Sequence, residues 1–224
     1  MLRTENRIII AILFGLLNFL LISPSHAQLS EVCGRLENAY GPFDYTNPIH
    51  VRDKLPIVER HHFTPNVDNL IRGETGANPV KDIDYTLRAF PNHHRALYAM
   101  VRYQLQNPRP SNAGYYTMEC YFDRARSFKP GDAYVSLIYG IYLHKIGNYQ
   151  KALQTYNQVL AYLPDSAELF YNLGLTYVEL KDTDNAVKSA VKAYKLGYPL
   201  GGLKSKLKAL GVWTSEQDKA IKNK

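Results

Sequence analysis

Along the second half of the chain, apolar residues return every three or four positions. Phe170, Leu173, Gly174 and Tyr177 fall on one stripe, and Leu200, Leu203, Leu207 and Leu210 on another. That beat is the mark of amphipathic helices. Prolines and glycines punctuate it, with Pro130, Gly147, Pro164 and Pro199 standing where one helix has to stop. Two short continuations, "ALYAMVRYQLQ" and "AGYYTMECYFDRARSFKP", predict a further pair of helices ending at Pro130, and "PVKDIDYTLRAFP" predicts one more ending at Pro91. The pattern is all-α.

The first residues follow a different rule. Ile8 to Ile22 is almost wholly apolar, preceded by Arg3 and Arg7 and followed by the small residues Ser25 and Ala27. This predicts a secretory signal peptide over 1–27, cleaved after Ala27. The apolar run is short for a membrane span, which needs roughly 20 residues. The expected location is therefore exported and periplasmic. Residues 28–78 are rich in breakers (Gly41-Pro42, Asn47-Pro48, Pro56, Pro65, Gly73), so they read as a loop-rich extension with short helices near 29–38 and 66–72.

Self-comparison adds order to the helices. Gly140 recurs as Gly174, Ala152 as Ala186 and Leu143 as Tyr177, a period of 34. The units "AYVSLIYGIYLHKIGNYQKALQTYNQVLAYLP" and "AELFYNLGLTYVELKDTDNAVKSAVKAYKLGYP" keep small residues where two helices must approach and aromatics where space must be filled. These anchors resemble the tetratricopeptide repeat family. The resemblance implies a right-handed helical-hairpin solenoid over 79–199, with its best units at 133–166 and 167–199. Residues 200–224 then serve as C-terminal capping helices. The preceding unit departs from the pattern, placing Gln106 at the glycine position when 34 is subtracted. Four stretches, "CGRLENAYGPFDY", "VERHHFTPNVDNLIRG", "DIDYTLRAFPNHHRAL" and "YGIYL", also resemble exported bacterial proteins of this family without an assigned activity. They imply no catalytic residue.

Several side chains suggest chemistry. Cys33 and Cys120 are the only two cysteines, and in an exported chain one disulfide is the simplest pairing. Nine lysines fall in 185–224 against only Glu216 and Asp218, so that segment alone matches the whole chain's charge of +7. Such a face suits a weak contact with an anionic membrane surface. Nucleic acid is not expected, because no base-reading motif accompanies it. His61/His62 and His93/His94 form two adjacent pairs. Asn92 reads as an N-cap with His93 and His94 opening a helix, where neighbours point about 100° apart and do not chelate one ion. As an alternative, one ring from each pair with Asp82 would hold a divalent transition metal, making a metal- or small-ligand-binding protein or an enzyme. HExxH and HxxxH spacings are absent, as are G-x-S-x-G and a P-loop. Asp84 and Arg88 read as a helix-surface ion pair. Asp132, Asp165 with Glu168, and Thr214 with Gln217 read as helix caps.

Tyrosine outnumbers phenylalanine and tryptophan together, 18 against 8 and 1. Tyrosine combines a broad contact face with a polar tip and suits wet binding surfaces. The family resemblance implies that the first helix of each repeat lines a concave groove. Here that groove would carry Tyr103, Tyr134, Leu137, Ile141, His144, Tyr171, Asn172 and Leu175. Asn172 matches an asparagine of family members that clamp a C-terminal carboxylate, but their accompanying lysines are replaced by Leu137 and Ile141. The expectation is a non-enzymatic scaffold or assembly factor without cofactor, binding another envelope protein or peptide.

Overall fold

The computed structural model describes residues 33–108 and 114–222. Among them are twelve helices and no strand. A lone helix, α4 (Val80–Ala89), follows three short ones, α1 (Pro48–Asp53), α2 (Leu55–His62) and α3 (Pro65–Asp68). Three hairpins come next: α5 (His94–Gln106) with α6 (Met118–Phe128), α7 (Ala133–Lys145) with α8 (Tyr149–Val159), and α9 (Ala167–Glu179) with α10 (Thr183–Lys195). Helices α11 (Gly202–Ala209) and α12 (Ser215–Lys222) close the stack. The first helices of the hairpins form a row, α5 on α7 and α7 on α9, and α11 continues it.

Local chemistry explains the spacing. A Cβ at Gly140 would sit 2.3 Å from the Tyr156 ring, so only glycine lets α7 settle onto α8. At Gly174 the nearest atom is a Leu203 methyl, 2.5 Å away, so that glycine makes room for the cap α11 more than for its own partner helix. One core runs from Phe63 through Leu87, Met100, Phe122, Val135 and Tyr156 to Leu173. A second joins Ala186, Ala190, Leu203, Leu207 and Trp213 at the closing end. Only Leu203 and Leu207 of the four expected cap leucines are buried, while Leu200 and Leu210 stay exposed.

The helix starts refine the expectations. Asp132 accepts from the backbone N–H groups of Tyr134 and Val135 as a cap should. The Thr214–Gln217 box also forms. At α9, however, the cap is Ser166, whose hydroxyl accepts from Leu169 N, and not Asp165. At α5 the cap is His93, whose Nδ1 accepts from Ala96 N, so the helix begins at His94. Asn92 is buried instead and serves tertiary contacts.

The extension differs most from its sequence reading. Its described residues 33–38 are not α-helical. The Cys33–Cys120 disulfide fixes the segment against α6, and the buried Arg124 guanidinium donates to the carbonyls of Cys33 and Arg35, acceptors that a helix would need. The 66–72 segment keeps only the single turn of α3. In contrast, α1 and α2 form where prolines suggested loops. Pro48 and Pro56 stand in the first turn, where a missing N–H costs nothing. The extension is tied down by Phe43 N to Ala89 O at 2.8 Å, Tyr45 N to Asn92 Oδ1 at 2.9 Å, and Lys129 Nζ to Asp44 at 2.8 Å.

Candidate functional site

The row of first helices sets the frame for the groove. His94 and Ala133 open α5 and α7, 39 positions apart, whereas Ala133 and Ala167 open α7 and α9, 34 apart. The turn inside the first hairpin is eight residues longer than its counterpart and the connection after it three shorter, so register along α5 shifts by five. The fifth position of each helix is Tyr98, Leu137 and Tyr171, and the second is Arg95, Tyr134 and Glu168. Val101, not Gln106, occupies the glycine position, and it is buried.

This shift relocates one expected groove residue. Tyr103 is buried, and its hydroxyl accepts from Asn78 Nδ2 at 2.8 Å. The residue in its place in the helix register is Tyr98, which is 40% exposed. Tyr134, at 46%, is the other open ring on the row. Leu137 and Ile141 are buried in the main core. Tyr171 is also buried, stacked on Tyr198 with ring centroids 4.2 Å apart. His144 donates from Nδ1 to Thr176 Oγ1 at 2.9 Å, because that hydroxyl gives its own proton to the Asn172 carbonyl. Asn172 Nδ2 donates to Glu168 O, and Leu175 is half-buried against the second core.

Sequence reasoning treated Glu168 as a cap partner and did not single out Tyr198. Tyr198 follows the end of α10 and stacks on Tyr171, and Glu168, Tyr171, Tyr98 and Tyr194 all disfavour its ionisation. Burial is the larger cause, and together they push the phenol up to about 12. Glu168 keeps contact with solvent, yet the surrounding protein raises its carboxyl above the ordinary carboxylate range. No positive group answers it among the described residues.

The histidines and Asp82 are divided among separate carboxylate pairs. His62 Nδ1 meets Asp82 Oδ1 at 2.9 Å, and its ring stacks on Tyr85. The fully buried Asp82 also accepts from Glu74 N and from Thr75 N and Oγ1, so it organises the 73–77 loop. His93 is fully buried. With Nδ1 accepting at the cap, its Nε2 carries the proton and donates to Glu59 Oε1 at 3.2 Å. Burial lowers the His93 pKa, and the hydrogen bond from His93 lowers that of Glu59. His94 Nε2 bridges both Asp132 oxygens at 3.0 Å, between the rings of Tyr45 and Tyr134. Burial alone would raise the Asp132 carboxyl, but His94, Asn92 and the α7 backbone hold it below its ordinary value. His61 is exposed. Among the described residues, no three or more of His, Cys, Asp and Glu converge as metal ligands would.

A solenoid of helical hairpins with a ring-lined inner row defines a class built to hold other chains. A TPR repeat model matches residues 142–181, and a tetratricopeptide repeat model matches residues 167–196. Residues 142–196 thus carry tetratricopeptide repeats, which support a protein-interaction module in general terms. No curated protein and no solved structure matches it.

Proposed function

We propose that this chain is an exported scaffold or assembly factor for an envelope complex, which binds a peptide or protein segment in its concave groove. The observation that carries the reading is the pair of open tyrosines, Tyr98 and Tyr134, held on successive helices of one row. Rigid rings on a fixed scaffold gain contact area at low entropic cost, as groove readers require. The apolar leader pattern and the single Cys33–Cys120 bond support an oxidising, exported setting. Lys188, Lys192 and Lys195 outnumber Glu216 in the lining of an open groove between α10 and α12 that also includes Val187 and Val191, which suits a weak contact with an anionic membrane surface.

The test is a crosslinking pull-down from intact cells, with wild type beside Tyr98→Ala/Tyr134→Ala. Capture of one envelope protein, lost in the variant, is the expected result. Capture that survives the double substitution removes the groove from the reading. The N-terminal mass of the purified protein decides cleavage after Ala27.

A further inference from the structure

We infer that the recess between α10 and α12 seats an acyl chain of an anionic membrane lipid. The inference rests on the membrane contact proposed above and gives that contact a site and a chemistry. Helix α12 is short and contributes no buried residue, so it leaves part of α10 uncovered. Val187 and Val191, one turn apart on α10, line the uncovered space together with Ala220 of α12 and with Leu196, which is 38% exposed. The space holds about 700 Å³, within the roughly 300–1,000 Å³ of sites that take small, mostly apolar molecules.

Two properties select a lipid. Both walls are helices whose backbone groups are bonded within their own turns. An extended peptide laid between them would find no backbone partners on the walls, whereas an acyl chain has no polar groups to satisfy. The second property is charge, which is positive around the recess and spreads past it. Lys188 and Lys195, two turns apart on α10, line the recess, and Lys219 and Lys222 stand on α12. All four are exposed and make no ion pair among the described residues. Lys192 also lines the recess, but its ammonium is held by Pro164 O at 3.0 Å, by Asp165 at 3.7 Å and by the Phe170 ring, so it lends its stem rather than its head. Acids are fewer here. Glu216 lines the recess and Asp184 stands one turn before Lys188, while Asp218 is taken by Lys204 at 2.6 Å. A positive field of this extent matches an anionic bilayer, where each lysine near the surface adds to the attraction. A second copy of the chain would bring the same lysines against these. The lipid tail lies along Val187 and Val191, and its phosphate meets Lys188 or Lys195.

The test uses the full mature chain and its single tryptophan, Trp213, which packs in the same cluster as Val187 and Val191. The protein is sedimented with vesicles of phosphatidylcholine, alone or with one third phosphatidylglycerol, whose acyl chains are plain or brominated. It should bind the anionic vesicles about tenfold more tightly, which corresponds to about 1.4 kcal/mol. Only the brominated chains should quench Trp213. Lys188→Gln/Lys195→Gln should remove the preference for anionic vesicles. Val187→Thr/Val191→Thr keeps the lysines and exchanges one methyl for a hydroxyl on each half-buried side chain, so it should remove the quenching with helical circular dichroism unchanged. Binding to anionic vesicles without quenching, or quenching that survives the threonine pair, overturns the acyl seat and leaves the surface contact. Binding to neither vesicle overturns the seat and the membrane contact together. Quenching by a monomeric brominated fatty acid without vesicle binding gives the recess to a free amphiphile. Shifts of the Val187 and Val191 methyls with a capped Glu–Leu helical peptide, but not with vesicles, give it to a protein segment. Either result also overturns the bilayer lipid.

Discussion

Lys181 holds a left-handed backbone, φ 61°, at the position where the preceding repeat has Gly147 with φ 80°. Both end a first helix, and at Lys181 the chain still makes the closing bonds, Lys181 N to Val178 O and Asp182 N to Tyr177 O. A side chain in this region costs roughly 1 kcal/mol or more. Lys181→Gly should therefore raise stability by about 0.5–1 kcal/mol, measured as a higher urea midpoint with an unchanged slope. The opposite change belongs at Gly140. An added methyl meets the Tyr156 ring, so Gly140→Ala should destabilise by about 1–3 kcal/mol, seen in the same denaturation curve. His93 gives a pH dependence. Its folded pKa lies below 6.5 because it is buried, so the unfolded chain takes up a proton first as pH falls. Stability should be complete above the unfolded value and decline as pH drops through about 6.5 and below. His93→Asn keeps a capping side chain but has nothing to titrate, so its midpoint should depend less on pH between 7 and 5.5. An unchanged slope would assign the dependence elsewhere, His144 being the other histidine whose pKa burial lowers.

At the scale of elements, sequence was most informative where the period was strict. The two matched units gave α7 to α10 because glycine, alanine and proline recur at fixed offsets there, and the packing that demands them is local. The same period misled one hairpin earlier. Nothing in "NPRPSNAG" states how many extra residues the turn holds, so subtracting 34 from Leu137 gave Tyr103, while the register of α5 puts Tyr98 there. The extension was less legible for another reason. Proline is a breaker inside a helix and a good opener in its first turn, and the letters alone did not separate those roles at Pro48 and Pro56. Asn92 was expected to cap α5, yet its partners Asp44, Tyr45 and Asp132 lie about 40 or more positions away, beyond any local pattern. Asp132 shows how such contacts join elements. It caps α7, receives His94 from α5 and pairs with buried Asn92. Asp132→Ala should cost about 2–4 kcal/mol, more than a cap alone at about 1 kcal/mol, because it also removes one of the two acceptors of buried Asn92 and the acceptor of His94. A thermal shift no larger than that of Ser166→Ala would mean the network is not coupled to the cap.

Over the whole molecule, the extension and the closing repeats depend on different supports. The 33–47 segment is held from outside the helices, by the Cys33–Cys120 bond, by Arg124 on two of its carbonyls, and by Asp44 and Tyr45 on the α4–α5 corner. Its own hydrophobic cluster is small, Leu55, Val58, Ala89 and Phe90 with Tyr40, Phe43 and Tyr45 around them. The closing repeats bury a separate cluster around Ala190, Leu203 and Trp213, to which neither cysteine contributes. Stability in stacked repeats is close to a sum of neighbour terms, so damage at one end need not spread to the other. A Cys33→Ala/Cys120→Ala variant frees a long loop and should lose about 2–5 kcal/mol, most of it at the N-terminal end. Amide hydrogen exchange reads the location directly. Protection should fall across Phe43 to Asp53 and the 73–77 loop, and persist in α9 and α10. Uniform loss along the chain would instead mean that the disulfide supports the entire stack, and that the groove between Tyr98 and Tyr198 depends on it.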